Sequence, residues 1–363
     1  MAKKLSSDKS LFLITIVLVM FGLIMVYSAS AVLAMEQQGN PFYYVIRQTV
    51  WFVVGLLAMG LMMQIPYRSW NQRLLITALL AGVSILLILV LFAPAVANVH
   101  RWFRVGPFSL QPAELAKFPL LLFLAYHLSR RQDRIDTIWP GILPPLAVSG
   151  WLAFLIVIEP DLGTAVMIVA VTVLLLFFAG MPWKYFAMMA ALVLPVFYVL
   201  VMGVDYRRER LLSYMNPEAD PGDTGFQIIQ SLIALGGGGA HGVGLANSIQ
   251  KLFYLPEPHT DFIFAIIGEE LGMIGASALL FAYLFFLWRG LRVAWKVQDP
   301  FGQFLAMGIT IMIVLQAMIN ISVVIGLLPT KGLPLPFISS GGSSLLINMT
   351  AVGILLNISQ HSG

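Results

Sequence analysis

Apolar runs of roughly 17 to 25 residues, the length of a helical bilayer crossing, dominate the chain and are separated by short polar stretches rich in proline and glycine. They fall near 11–33, 43–64, 73–93, 113–128, 139–158, 162–180, 184–203, 262–288, 301–328 and 343–359. The pattern predicts an all-α polytopic membrane protein of about ten transmembrane helices, forming one domain over residues 1–363. The interval 204–261, between the seventh and eighth spans, is the only sizeable extramembrane segment. Within it, Phe226, Ile229, Leu232 and Ile233 recur at helical spacing, which suits an amphipathic helix lying on the membrane or tucked into the bundle and too short to span.

Charge sets the orientation. With the N-terminus inside, the cytoplasmic segments hold Lys3, Lys4, Lys9, Arg68, Arg73, Arg130, Arg131, Arg134, Lys184, Arg289, Arg292 and Lys296, which is 12 of the 21 basic residues. Four of the other nine lie in the long loop, which the positive-inside rule does not count, so the short-loop comparison is 12 to 5. Both ends are then cytoplasmic, and the 204–261 loop faces outward with Asp205, Glu209, Glu218, Asp220, Asp223, Glu257 and Asp261. The basic start resembles a signal-peptide n-region, but Leu11 to Leu33 is a full span with no small-residue cleavage site, so it reads as a retained first helix. At 59% hydrophobic and 10% charged residues the chain is too apolar for a soluble globule, and a net charge of +4 is too diffuse for nucleic acid. The absence of cysteine excludes thiol nucleophiles, disulfides and Cys-ligated metals.

The stretch from Tyr254 to Gly272 carries the strongest chemical signal. Pro256 and Pro258 hold the approach extended, so Asp261 sits at or near the first turn of the eighth span. Thr260 is a competent cap, which leaves the Asp261 carboxylate free for other work. At 100° per residue, Gly268, Gly272 and Gly275 fall within about 40° of the Asp261 direction and predict a small-residue groove below it. Glu269 and Glu270 lie about 12 Å deeper, where an ionised group must be paired or wetted; they read as buried, hydrogen-bonded glutamates that fix helix packing or as residues near the opposite interface, with direct chemistry the alternative. The run Gly236–Gly244 formally contains a GxGxxG, but no strand precedes it, and a flexible hinge is the better reading.

Other outer-face stretches add polar groups. Pro112 starts a helix bearing Glu114 and, on the same face, Lys117; the two form either a structural ion pair or, through Lys117, an anion site in a cavity. Asp161, in the tight turn Glu159-Pro-Asp-Leu-Gly163, either caps the sixth helix or lines the same cavity as Asp261. The segment from Leu328 to Ser344 alternates prolines with apolar residues and then presents hydroxyls and glycines, among them Ser339 and Ser343; it is expected to re-enter the bundle. Lys331 is a candidate phosphate contact or a snorkelling lysine.

Together these stretches resemble the SEDS family (shape, elongation, division and sporulation) over nearly the whole chain. The resemblance is carried by Arg207-Arg-Glu-Arg-Leu-Leu212, Asn216-Pro-Glu-Ala-Asp-Pro221, Gly225-Phe-Gln-Ile-Ile-Gln-Ser-Leu-Ile-Ala234 and the blocks Pro256–Gly272 and Leu328–Ser344. Ile-Gly-Glu-Glu-Leu-Gly and Leu-Pro-Thr-Lys-Gly-Leu-Pro-Leu-Pro are similar to the division type rather than the elongation type. Ser340 departs from the pattern, since the family commonly has Tyr there. The resemblance implies a membrane glycosyltransferase that polymerises peptidoglycan from lipid II, with Asp261 as general base or as organiser of a divalent cation, Mg or Mn, and with no organic cofactor. It implies substrate contacts from Arg101, Arg104, Lys117, Arg207, Arg208, Arg210, His259 and Lys331, with Glu114, Asp161, Ser339 and Ser343 beside them. It also implies a cytoplasmic-membrane location at the division septum, other divisome membrane proteins, and a class B penicillin-binding protein of the division type. Because the Gly236–Gly244 run follows the amphipathic helix, the partner's stem is further expected to order this loop and so position Asp261.

The chemistry is consistent. Attack by a GlcNAc 4-hydroxyl on C1 of a lipid-linked MurNAc needs proton removal and a cationic home for the departing pyrophosphate, but no second carboxylate as in a hydrolase. Two other readings compete: a transporter or flippase for the lipid-linked precursor, and a scaffold that recruits a division partner. The spans show no internal symmetry of the kind alternating access uses, and a scaffold has no need of Asp261.

Overall fold

The computed structural model describes residues 7–94, 99–105, 108–217, 224–252, 254–330 and 332–361; Lys3, Lys4, Glu218, Asp220, Asp223 and Lys331 lie outside them. The apolar runs fold as α1 (Lys9–Gln38), α2 (Tyr43–Gln64), α3 (Arg73–Val90), α4 (Pro112–Arg131), α5 (Leu143–Ile158), α6 (Leu162–Phe178) and α7 (Trp183–Met202). After α8 (Asp205–Met215) and α9 (Thr224–Gly238) come α10 (Ile263–Lys296), α11 (Pro300–Val324) and α12 (Gly342–Ser359). Each of the ten expected spans corresponds to one of these helices. Among the described residues eight are long and apolar enough to cross a membrane, α5 together with the π-helical turn Ile138–Ile142 that leads into it; α6 is shorter, and α4 carries Glu114, Lys117, Arg130 and Arg131.

Local chemistry fixes the ends. Asp8, Asp161 and Asp299 cap α1, α6 and α11 by accepting from Leu11 N, Thr164 N and Gly302 N, and Pro112 and Pro300 occupy first-turn positions where a missing N–H costs nothing. The most enclosed helices are α11 and α12, with 83% of their apolar windows buried. α12 packs along α2, and α11 packs on α4, α6 and α10. The Asp8 N–H donates to Ser359 Oγ at 2.9 Å and Arg289 pairs with the Asp8 carboxylate, so the two described ends of the chain lie on one face. Between α3 and α4, β1 (Phe103–Val105) and β2 (Phe108–Leu110) form a hairpin that sets Arg104 opposite Ser109.

Three expectations about the long loop are corrected. The helix is interrupted at Gly272, whose φ of 65° and ψ of −167° leave the α region, so the glycine stripe below Asp261 is not continuous. A straight helix would join Met273 N to the carbonyl of residue 269 and Ile274 N to that of 270. Instead Met273 N donates to Gly239 O (2.9 Å) and Ile274 N to Ala240 O (3.2 Å), while Val243 N and Gly244 N donate to the carbonyls of Glu269 and Glu270 at 3.0 Å. Residues 239–244 are thus spliced into the helix's own hydrogen-bond ladder. The expected groove is filled by the chain itself: a Cβ at Gly242 would lie 2.1 Å from the Glu270 carbonyl, and one at Gly238 2.0 Å from that of Gly268. The glycine run is consequently a close-packing insert and not a hinge. The cap also differs: α10 begins at Ile263 with Phe262 as its uncapped N-cap, and Thr260 Oγ1 donates back to Glu257 O.

α9 is the amphipathic helix expected from the sequence, tucked against α10 with Ser231 Oγ donating to Val324 O. The segment after α11 re-enters the bundle, burying Leu333, Leu335, Phe337 and Ile338. Backbone at that depth must find partners inside the protein. Asn320 reaches Leu333 O, Gln316 reaches Pro334 O, Tyr283 reaches Pro336 O and Gln48 reaches Ser339 O.

Candidate active site

Asp261 stands one residue before the N-cap of α10, on a backbone held by three consecutive carbonyl contacts. Ser340 N donates to His259 O at 2.9 Å, Ser339 Oγ to Thr260 O at 2.6 Å, and Asn320 Nδ2 to Asp261 O at 2.8 Å. The carboxylate itself approaches Gly332, where a Cβ would sit 3.1 Å from Oδ2. Burial, then the neighbouring Glu257 and Asp161, push the Asp261 carboxyl up to about 7, against the opposing pull of Arg210 and Arg101.

Two cavities adjoin this stretch, one through Gly332 and the other through His259 and Thr260, and Asp261 itself is in the lining of neither. The first, of about 450 Å³, is lined by Arg101, Asp161, Arg207, Arg210 and Gly332 together with the apolar side chains of Leu162, Val166, Phe197, Val201 and Ile319. The second, of about 490 Å³, is lined by Tyr44, Arg47, Gln48, Trp51, Trp102, Arg104, His259, Thr260 and Ser340. Arginines among apolar walls suit a lipid phosphate, and aromatic rings with hydroxyls and guanidinium groups suit a sugar.

The other predicted site residues divide between these cavities and the interior. Arg101 donates to the carbonyls of Glu159 (2.8 Å) and Pro160, bracing the turn that carries Asp161. Asp161 both caps α6 and lines the first cavity; its carboxylate also accepts from Thr164 Oγ1 (2.9 Å) and Gln111 Nε2 (3.1 Å). Arg207 lines the same cavity while donating to Leu200 O and Val157 O. Arg208 lies on the exposed side of α8, paired with Asp205 at 2.9 Å. His259 is buried under the Tyr44 ring, with centroids 4.3 Å apart, and burial lowers its imidazole to about 4, so it faces the second cavity neutral. Lys117 and Glu114 pair on the face of α4, both buried, with the lysine also donating to Gln316 Oε1 at 2.8 Å. Ser343 is buried in the first turn of α12, and Ser339 is committed to the Thr260 carbonyl and to Leu335 N.

Two contributors were not singled out from sequence. Asn320 is an amide one turn after Gln316 in an otherwise apolar stretch, and that polarity was the only signal available. Glu159 is wholly buried, neither carboxyl oxygen has a partner among the described residues, and burial with the nearby Asp161 raises its carboxyl to about 8. Among the described residues no cluster of three His, Cys, Asp or Glu side chains forms a metal cage. One carboxylate with substrate phosphates and water is nevertheless an ordinary set for Mg²⁺, and Asp261 fits that pattern.

Fold and site together define a polytopic membrane protein with the Asp261 carboxylate beside an arginine-lined cavity and an aromatic polar one. The chain belongs to the FtsW/RodA/SpoVE family of cell cycle proteins, whose family model matches residues 8–363. It is 46% identical over 358 residues to a probable peptidoglycan glycosyltransferase FtsW of Geobacter metallireducens, spanning 98% of this chain and 95% of that one. Over 365 residues it is 44% identical to stage V sporulation protein E of Bacillus subtilis, spanning 99% of each. Among solved structures, a chain of a peptidoglycan synthase complex described as coordinating polymerization and crosslinking superposes with a TM-score of 0.81 at 30% identity, covering 98% of both chains. RodA of Thermus thermophilus superposes with a TM-score of 0.71 at 26% identity, covering 99% of this chain and 98% of RodA. The expected family and the all-α polytopic fold are both borne out.

Proposed function

We propose that the protein is a peptidoglycan glycosyltransferase of the division type, polymerising glycan strands from lipid II in the cytoplasmic membrane. The observation that carries this is the place of Asp261: a carboxylate poised near neutrality beside one cavity suited to a polyprenyl pyrophosphate and another suited to a saccharide. Asp261 takes the proton of the acceptor GlcNAc 4-hydroxyl as its oxygen attacks C1 of the lipid-linked MurNAc, and a base titrating near pH 7 is well matched to that task. Arg101, Arg207 and Arg210 stabilise the charge that develops on the departing undecaprenyl pyrophosphate, with the apolar side chains of the cavity receiving the first isoprene units. In the alternative role, Asp261 would hold a divalent cation, which would add positive charge to the leaving group in place of proton removal by the carboxylate.

The described residues of the 204–261 interval form α8, α9 and a strap packed on α10, and among them there is no fold that could carry cross-linking chemistry. A class B penicillin-binding protein of the division type is therefore the expected partner, with other septal membrane proteins around it and both ends of this chain in the cytoplasm. The description of the peptidoglycan synthase complex supports such a pairing. The helix break at Gly272 is filled by the chain's own backbone, and no other described helix is interrupted in the same way, which disfavours the flippase reading. The test is glycan synthesis from purified lipid II by the protein in detergent, alone and with the transpeptidase. Strands of several disaccharides are expected in at least one condition, and none in either would sink the reading.

A further inference from the structure

We propose that Glu269, Glu270 and Lys251 form a buried clasp that holds the Asp261 loop in its working shape, which makes them positioning residues for the transfer; the proposal rests on the role given to Asp261 above. The three side chains are nearly solvent-free. The Lys251 ammonium donates to Glu270 Oε1 (2.8 Å), to Ala246 O (2.6 Å) and to Ser28 Oγ on α1 (3.3 Å), and Ser28 Oγ itself reaches both Glu270 oxygens at 2.7 Å. Glu269 accepts from Ser248 Oγ and from the backbone N–H groups of Ile249 (2.9 Å) and Gln250 (3.4 Å).

The contact from Ile249 to Glu269 spans 20 residues, and Asp261 sits near the middle of that span. On one side of Asp261 the connection is the first two turns of α10, which are rigid. On the other it is an irregular strap, held locally by contacts such as Leu255 N to Gln250 O at 3.0 Å and reached from the re-entrant segment only at its far end, where Ser340 N and Ser339 Oγ donate to the His259 and Thr260 carbonyls. Closing a loop of this length removes most of the shapes it could otherwise explore. The arrangement is not the cheapest way to fill space. A buried ion pair often stabilises no better than apolar residues of the same volume, whereas breaking one by removing a single partner is strongly destabilising. What carboxylates do that apolar residues cannot is capture particular N–H groups and so set the register of a segment that has no ladder of its own.

Because the chain has no cysteine, a single label can be placed cleanly. Tyr254 is half exposed on the strap, and Tyr254→Cys carrying a nitroxide reports its mobility. The test compares the parent with Lys251→Met/Glu270→Met, which removes both charges together, and with Lys251→Arg, which keeps the charge. The double variant is expected to insert normally, to show a more mobile label, and to lose at least tenfold in kcat with KM for lipid II within twofold; Lys251→Arg should stay near the parent in both readouts. Should the double variant not fold, Ser248→Ala strands no charge and is expected to shift the same readouts in the same direction by a smaller factor. An unchanged label spectrum in a folded variant overturns the clasp, and a mobile label with unchanged kcat overturns its link to the reaction. If the parent itself made no glycan, the functional reading would fail separately, and the spectrum would still decide whether the clasp orders the loop.

Discussion

Asn320 Nδ2 donates to the Asp261 carbonyl and to the Leu333 carbonyl, each at 2.8 Å, so one amide ties the Asp261 stretch to the re-entrant segment. Asn320→Leu keeps similar volume and removes both bonds. Stranding a buried carbonyl costs about 1–3 kcal/mol, enough to lower the melting temperature measurably without unfolding the bundle. Polymerisation is expected to fall at least tenfold, because Asp261 loses its fixed height relative to Gly332. A variant that melts lower but polymerises at the parent rate would remove Asn320 from the positioning set.

Asp261→Asn should abolish polymerisation while leaving insertion intact, and pH gives a sharper test. In the parent, the rate should rise with pH through about 7 as the carboxyl ionises, and Glu257→Gln, by removing a like charge, should move that midpoint lower. Stability runs the other way. A carboxyl raised from the ordinary 3.8 to about 7 contributes stability that is complete below 3.8 and lost once the pH exceeds 7. The melting temperature of Asp261→Asn should therefore gain on the parent between pH 5 and pH 8. A flat difference between the two would deny the raised value.

Much of this was legible in the sequence because the bilayer imposes a length on every apolar run. The ten spans, the inward-turning Leu328–Ser344 segment and the paired, buried Glu269 and Glu270 all follow from the cost of unsatisfied polar groups in hydrocarbon. The loop was less legible. A glycine run reads equally well as freedom or as close packing, and only the tertiary partner decides; here the partner is the broken ladder around Gly272, and nothing local in Gly-Met-Ile-Gly announces a break. The site shows the same limit. Asp261 stands out because a carboxylate at a helix mouth is conspicuous, whereas Asn320 and the two cavities depend on distances between elements far apart in the chain.

The glycines can be separated by substitution. Gly236 and Gly237 are exposed helical positions in α9, where a Cβ meets nothing within 4 Å, so Ala at either should be neutral or stabilising by about 0.5–1 kcal/mol. Gly242 has φ +81°, and Gly272 has φ +65° with a Cβ position 2.4 Å from Gly242 N; Ala at either forces the splice apart. Detergent melting curves should show the first pair at or above the parent and the second pair well below it. Equal effects at all four positions would restore the hinge.

The Glu114 and Lys117 pair asks whether a buried lysine near the working face holds the fold or the substrate. Both side chains are almost wholly enclosed, and the ammonium is also committed to Gln316, which in turn holds the Pro334 carbonyl of the re-entrant segment. Lys117→Met leaves the Glu114 carboxylate buried without its partner and should cost about 3–5 kcal/mol. Lys117→Met/Glu114→Gln removes the stranded charge and should recover most of that loss, the non-additivity marking a direct contact. If the pair acts only through the fold, polymerisation should return with stability in the double variant. If the lysine contacts pyrophosphate, the double variant should melt like the parent yet remain slow. Turnover and melting on the same preparations decide it, and the enclosure of Lys117 with its link to Pro334 predicts the first outcome.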